Sequence, residues 1–252
     1  MRVAGFGQVL FGLSIAAIGA FGIGWHSFAE VPKWLGPHHT VAAIFGVILL
    51  AGGLALLVPR TAKAASLVLA AVLVLRFLLL RIPPLAAHPL VEGVYEEMSE
   101  TLFCIAGAWT IFSMLAREGG ILSKFGNIRA GQIVFALATP GIGLSHFFYL
   151  NLTAPLIPSW LPFHVPLAYF TGAAWIAAGL GIFFGVLPRL AATLTAVMVS
   201  LFTLLVWVPM IVGAPAKVSN WSEILTSAAI TGAAWAVAES FRGRSWVLSR
   251  SG

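Results

Sequence analysis

The chain has 252 residues, of which 60% are hydrophobic and only 9% charged, with a net charge of +6. Soluble domains run at about 45–50% apolar and about 25% charged, so there is too little polar surface here for a water-soluble domain, a disordered tail or a nucleic-acid reader. The single cysteine, Cys104, excludes an internal disulfide, and what remains is a polytopic helical membrane protein.

A helix crosses the hydrocarbon core in about 20 apolar residues. Cutting the chain at its charges and Pro/Gly clusters predicts about eight such stretches. They run from Gly5 to Phe28, His39 to Val58, Ala64 to Leu80, Met98 to Ala116, Ala130 to Leu150, Pro166 to Leu187, Leu190 to Val212 and Trp221 to Glu239. The first is too long for a cleaved signal and a later segment repeats it, so it is expected as a span. One alternating set of loops carries Arg2, Arg60, Lys63, Arg117, Lys124, Arg129, Arg189, Arg242, Arg244 and Arg250. The other carries only Lys33, Arg81 and Lys217. By the positive-inside rule both termini are expected in the cytoplasm.

The second half of the chain repeats the first. A shift of 126 residues pairs Pro32 with Pro158, Trp34 with Trp160, His38 with His164, Gly46 with Gly172, Gly53 with Gly179, Pro83 with Pro209, Glu97 with Glu223 and Trp109 with Trp235. The expected organisation is therefore two four-span repeats, 1–126 and 127–252, entering the membrane in the same direction about a pseudo-twofold axis along its normal. The connection after His146 is longer than the one after His26. Small residues every fourth position, Gly12, Ala16, Ala20 and Gly24 and again Ala173, Ala177, Gly181 and Gly185, are expected to let helices approach closely.

The stretch from His146 to Met210 carries His146-Phe147, then Pro158, Trp160, Leu161 and Pro162, then Thr171-Gly172 and Gly179, Arg189 with Ala191-Ala192, and Pro209. It resembles the DoxX-like family of small four-span membrane proteins. The first half is similar through His26, Phe28, Pro32, Trp34, Gly46, Gly53 and Arg60, so nearly the whole chain looks like a fused DoxX-like pair. Relatives of this kind often carry an acid shortly after the Ser/Thr-Gly pair, where Ala173, Ala174 and Trp175 stand here. The resemblance implies a membrane scaffold of a bacterial cytoplasmic membrane, linked to quinone or oxidative-stress complexes, with other membrane redox subunits as partners.

On the expected topology all six histidines and six of the eight glutamates fall at the outer face: His26, His38, His39, His88, His146 and His164, with Glu30, Glu92, Glu96, Glu97, Glu100 and Glu223. Interfacial histidines usually cap helices or meet water, and no His-Glu-x-x-His spacing is present. Pseudosymmetry suggests more: His26 with His146, His38 with His164 and Glu97 with Glu223 form two related sets, and imidazole and carboxylate suit a metal or a proton-coupled quinone site. A His/Glu-lined outer pocket between the halves, roofed by VPKWLGP and APLIPSWLPFHVP, is the expected site for a quinone, haem or transition metal, with His26 and His146 as metal ligands. Arg76, a cation inside a span, needs a partner or a wet cavity; Glu97 or Glu100 is the expected acid, and a ligand contact is the alternative. Cys104, Trp109, Trp175 and Trp235 are expected as packing, and Trp25, Trp34, Trp160, Trp207 and Trp221 as an interfacial belt. Three functions compete: a redox-associated subunit, a small-solute transporter, and a scaffold without a ligand.

Overall fold

A computed structural model describes residues 5–25, 39–116 and 124–247, and every regular element in it is helical. Among the described residues eight long helices follow one another along the chain. They are α1 (Phe6–Trp25), α2 (His39–Leu56), α3 (Ala62–Leu80), α4 (Glu92–Ala116), α5 (Ile128–Phe148), α6 (His164–Phe184), α7 (Pro188–Phe202) and α8 (Val218–Ser240). After a turn at Arg81, α3 continues as Ile82–Ala87; α7 continues through a π-helical segment, Thr203–Trp207, into Val208–Gly213. Among the described residues six helices are long and apolar enough to cross a membrane, an architecture consistent with a helical membrane protein.

The other two differ for physical reasons. The apolar part of α2, Thr40–Leu56, is short. In α8, Asn220, Ser227, Thr231 and a run of alanines are buried by protein, so its surface need not be as apolar as one that meets lipid. Instead α7 and its continuation form the most exposed apolar helix, with only 11% of its span window buried.

Helices α4 and α8 sit at the centre and contribute to both hydrophobic clusters. One gathers Phe11, Leu49, Leu69, Ile111 and Ala233; the other gathers Phe103, Phe135, Trp175, Ile182 and Val237. α1 packs on α2 and α8, and α5 packs on α6 and α4. In lipid this association rests on close van der Waals fit. A Cβ at Gly46 would lie 2.9 Å from Gly19 O, and one at Gly172 2.8 Å from Gly143 O. At the central crossing, a Cβ on Gly107 would lie 2.5 Å from that of Ala233.

The expected small-residue stripes are corrected. Ala20, Gly24, Ala173, Ala177 and Gly185 are exposed, while the contacts run through Gly12, Ala16 and Gly19 on α1 and Gly172, Trp175, Gly179 and Ile182 on α6. A step of four residues drifts about 40° around a helix; steps alternating three and four stay on one face.

Proline behaves differently in two places. Pro140 lies inside α5 without breaking it: the carbonyl its ring leaves without an N–H, Ala136 O, accepts from the Thr139 hydroxyl at 2.9 Å. Pro209 instead follows the π segment, where Val208 N–H reaches back five residues to Thr203 O.

At the opposite end of the bundle, Arg129 donates to Ile182 O at 2.9 Å and to Phe183 O, the last carbonyls of α6. Arg129→Ala is expected to cost about 1 kcal/mol, seen as a lower melting temperature in detergent; an unchanged melting temperature would rule out a stabilising role for this cap.

Candidate functional site

Glu92, Glu96 and Glu100 follow one another at four-residue spacing and so share a face of α4. The start of a helix tolerates acids, because its unpaired N–H groups favour negative charge. Glu92 is 8% exposed, and both its carboxylate oxygens lack a hydrogen-bond partner among the described residues. Glu96 and Glu100 face a cavity of about 750 Å³ bounded by α4, α5, α6, α7 and α8 and by the short helices after α5. Most of its wall is apolar, with Phe103, Phe170, Trp175, Phe202 and Trp207 supplying aromatic rings. The polar groups gather at one end: Glu96, Glu100, Glu223, His146, Tyr149 and Ser227. Glu223 lines the cavity while remaining exposed, which places it at the mouth.

Several of these groups are fixed by local bonds. His146 Nδ1 meets Ile142 O at 2.8 Å, and its ring lies 6.2 Å from that of Phe202. Tyr149 OH accepts from Gly93 N–H at 3.1 Å, tying the end of α5 to the start of α4. Thr203, in the π segment, bonds the Ser227 hydroxyl at 2.7 Å and the Thr231 hydroxyl at 3.0 Å, joining α7 to α8.

Two cavity-lining groups have no such tie. Trp175 is 2% exposed, and its indole N–H has no partner among the described residues; neither has the Thr153 hydroxyl. A buried polar group left unpaired costs about 1–3 kcal/mol. Two orphans on the wall of one cavity therefore mark a place where a ligand or water completes the bonding.

The expected site residues fall into three sets. His146 and Glu223 line the cavity. His26 and His38 lie outside the described residues. Glu97, His164 and Arg76 do not line it. His164, at the start of α6, bonds Pro158 O at 3.2 Å.

The expected partner of Arg76 is corrected. Glu97 accepts instead from Arg81 Nη1, and Arg81 Nε donates to Thr101 Oγ1 at 3.3 Å. Arg76 lies five residues, about 7.5 Å, deeper along α3, with its guanidinium 6.0 Å from the centre of the Phe45 ring. Arg81 stands level with the first turns of α4 and reaches the acid first. Cys104 and Trp175 are buried packing residues as expected, but Trp175 also faces the cavity. Among the described residues no three His, Cys, Asp or Glu come together in a way that could hold a metal ion.

The sequence reading missed Glu96, Glu100 and Trp175 as wall residues. The signal is the four-residue spacing in EGVYEEMSE, of which only Met98 onward is expected in a span. The chain matches no family model, no curated protein and no solved structure.

Proposed function

We propose that the chain is a DoxX-like integral membrane protein of a bacterial cytoplasmic membrane, a duplicated four-helix unit that binds a quinone-class molecule between its second half and α4 as part of a membrane redox assembly. The observation that carries this reading is the cavity beside Trp175: an apolar body of about 750 Å³ with acids and a histidine at one end and a buried, unpartnered N–H on its wall. That is the form of an amphipathic ligand whose head accepts hydrogen bonds and whose tail is apolar.

Contacts between helices support the duplication. Gly107 meets Ala233, its own counterpart 126 residues on, as a residue on a twofold axis does. Gly7 against Ala236 repeats as Gly131 against Thr110, and Gly46 against Gly19 repeats as Gly172 against Gly143. The continuations Ile82–Ala87 and Val208–Gly213 also differ by 126. From α1 to α5, however, the contacts advance by 124 (Gly19 to Gly143). Position 146 then answers Gly22, about one turn before His26, so His26 and His146 are not a symmetric pair. The cytoplasmic placement of the termini is supported by Arg60, Lys63, Lys124, Arg129, Arg189, Arg242 and Arg244, which share the end of the bundle opposite the cavity.

Of the three expected ligands a quinone fits best, since a metal or haem would find His146 as the single imidazole among the described residues of the cavity wall. A bound quinone supplies reversible two-electron, two-proton chemistry. Trp175 and Thr153 would hold its oxygens, and His146 with Glu100 would hold protons at the polar end. Protein purified in mild detergent is expected to carry an extractable quinone or to bind a decyl-benzoquinone, and Trp175→Phe should weaken that binding about tenfold. No extractable quinone together with no binding of the added analogue ends the quinone reading. The π segment beside the cavity favours a second reading, a small-solute pathway, for which probe flux into proteoliposomes is the test.

A further inference from the structure

We infer that this cavity takes a second class of guest besides the quinone: a cation, a guanidinium or ammonium carried on an apolar body. The inference rests on the cavity being a binding site, as proposed above, and goes beyond the quinone in the charge of this further occupant.

Charge is the first argument. Glu96, Glu100 and Glu223 face one largely apolar cavity, and among the described residues that line it there is no lysine or arginine. The guanidinium of Arg81 lies within electrostatic reach of Glu100 but gives hydrogen bonds to Glu97 and Thr101. Three acids around an apolar space call for protons or for a positive guest.

The second argument comes from the chain itself. Shifted by 126 residues, Glu97 becomes Glu223, Thr101 becomes Ser227 and Arg81 becomes Trp207. In the first half, a carboxylate and a hydroxyl one turn apart on α4 hold a guanidinium that is 7% exposed. In the second half, the same carboxylate and hydroxyl line a cavity, and an indole stands where the arginine would begin. The first half thus carries its own cation, and the second receives one from outside. Trp207, Trp175 and Phe103 line the same space, and aromatic faces attract such cations as well as covering the apolar body. The unpartnered Trp175 N–H asks in addition for an acceptor, such as a hydroxyl or carbonyl oxygen on that body.

The full chain in nanodiscs of zwitterionic lipid provides the test, with titration calorimetry corrected against empty nanodiscs. Three probes share a decyl chain: decylguanidinium, its neutral counterpart decylurea, and a decyl-benzoquinone. At neutral pH the guanidinium is expected to bind at least about tenfold more tightly than the urea. Combining Glu100→Gln with Glu223→Gln should abolish that preference. So should Trp207→Arg, which builds the guanidinium of the first half into the second. Equal binding of guanidinium and urea overturns the inference, as does a preference that survives both sets of substitutions. Binding of the quinone alone overturns the cation and leaves the binding site standing, whereas binding of none of the three overturns both. The comparison of probes on the unaltered protein is decisive by itself where a variant does not fold.

Discussion

Gly232→Val is expected to destabilise the bundle by about 3 kcal/mol. A Cβ on Gly232 would stand 2.6 Å from Phe11 Cα and 2.9 Å from Phe11 Cβ. Phe11 is fully buried, and α8 is held on its other sides by α4 and α7. Neither helix can withdraw, so the branched side chain must push the two backbones apart and forfeit close contacts along the whole crossing. Gly24 is the matched control. A Cβ there meets nothing within 4 Å among the described residues, and Gly24→Ala should leave the melting temperature unchanged or raise it slightly, since alanine is the better helix former. Thermal unfolding in detergent with size-exclusion profiles reads both variants. Equal behaviour of the two would show that the crossing of α1 and α8 is not as tight as described.

Breaking the pair between Arg81 and Glu97 should be asymmetric. Arg81 has a side-chain exposure of 9%, Glu97 one of 57%. Glu97→Leu takes the carboxylate away from a buried guanidinium, and is expected to cost about 3 kcal/mol. Arg81→Met strands a carboxylate that water already reaches, for about 1 kcal/mol. Joining the two substitutions should recover most of the loss, because neither charge is then left alone. Additive losses in the double variant, or a larger loss from Arg81→Met, would rule out the pair as the source of the effect.

The spans could be read from the sequence because lipid imposes one simple requirement, a run of apolar residues, and six helices meet it plainly. What escaped that reading is protein-facing. Helix α4 begins at Glu92, six residues before the expected start at Met98, because its first turns are acidic and were taken for a loop. A helix end that favours negative charge accommodates them. Glu96 was missed as a cavity residue for the same reason, and Glu100, inside the expected span, because it was offered as a partner of Arg76. Glu223 was found because it follows the expected repeat, and His146 through a pairing with His26 that the register of α1 and α5 does not keep; Trp175 was taken as packing alone, since periodicity cannot tell a filled wall from an open one. The expected partner of Arg76 was Glu97 or Glu100; Arg81 takes Glu97 because of depth, a distance along two helices that no spacing within one segment reveals.

The interleaving of helices bears on ancestry. Because α1 rests on α8 and α5 rests on α4, neither half closes its own surface. On the duplication proposed above, a half-length forebear would have found its complement only in a second copy of itself, meeting it across the crossing where Gly107 and Ala233 touch. On that proposal association precedes the joining of the genes, and the joined copies are free to differ, one with Arg81 where the other has Trp207.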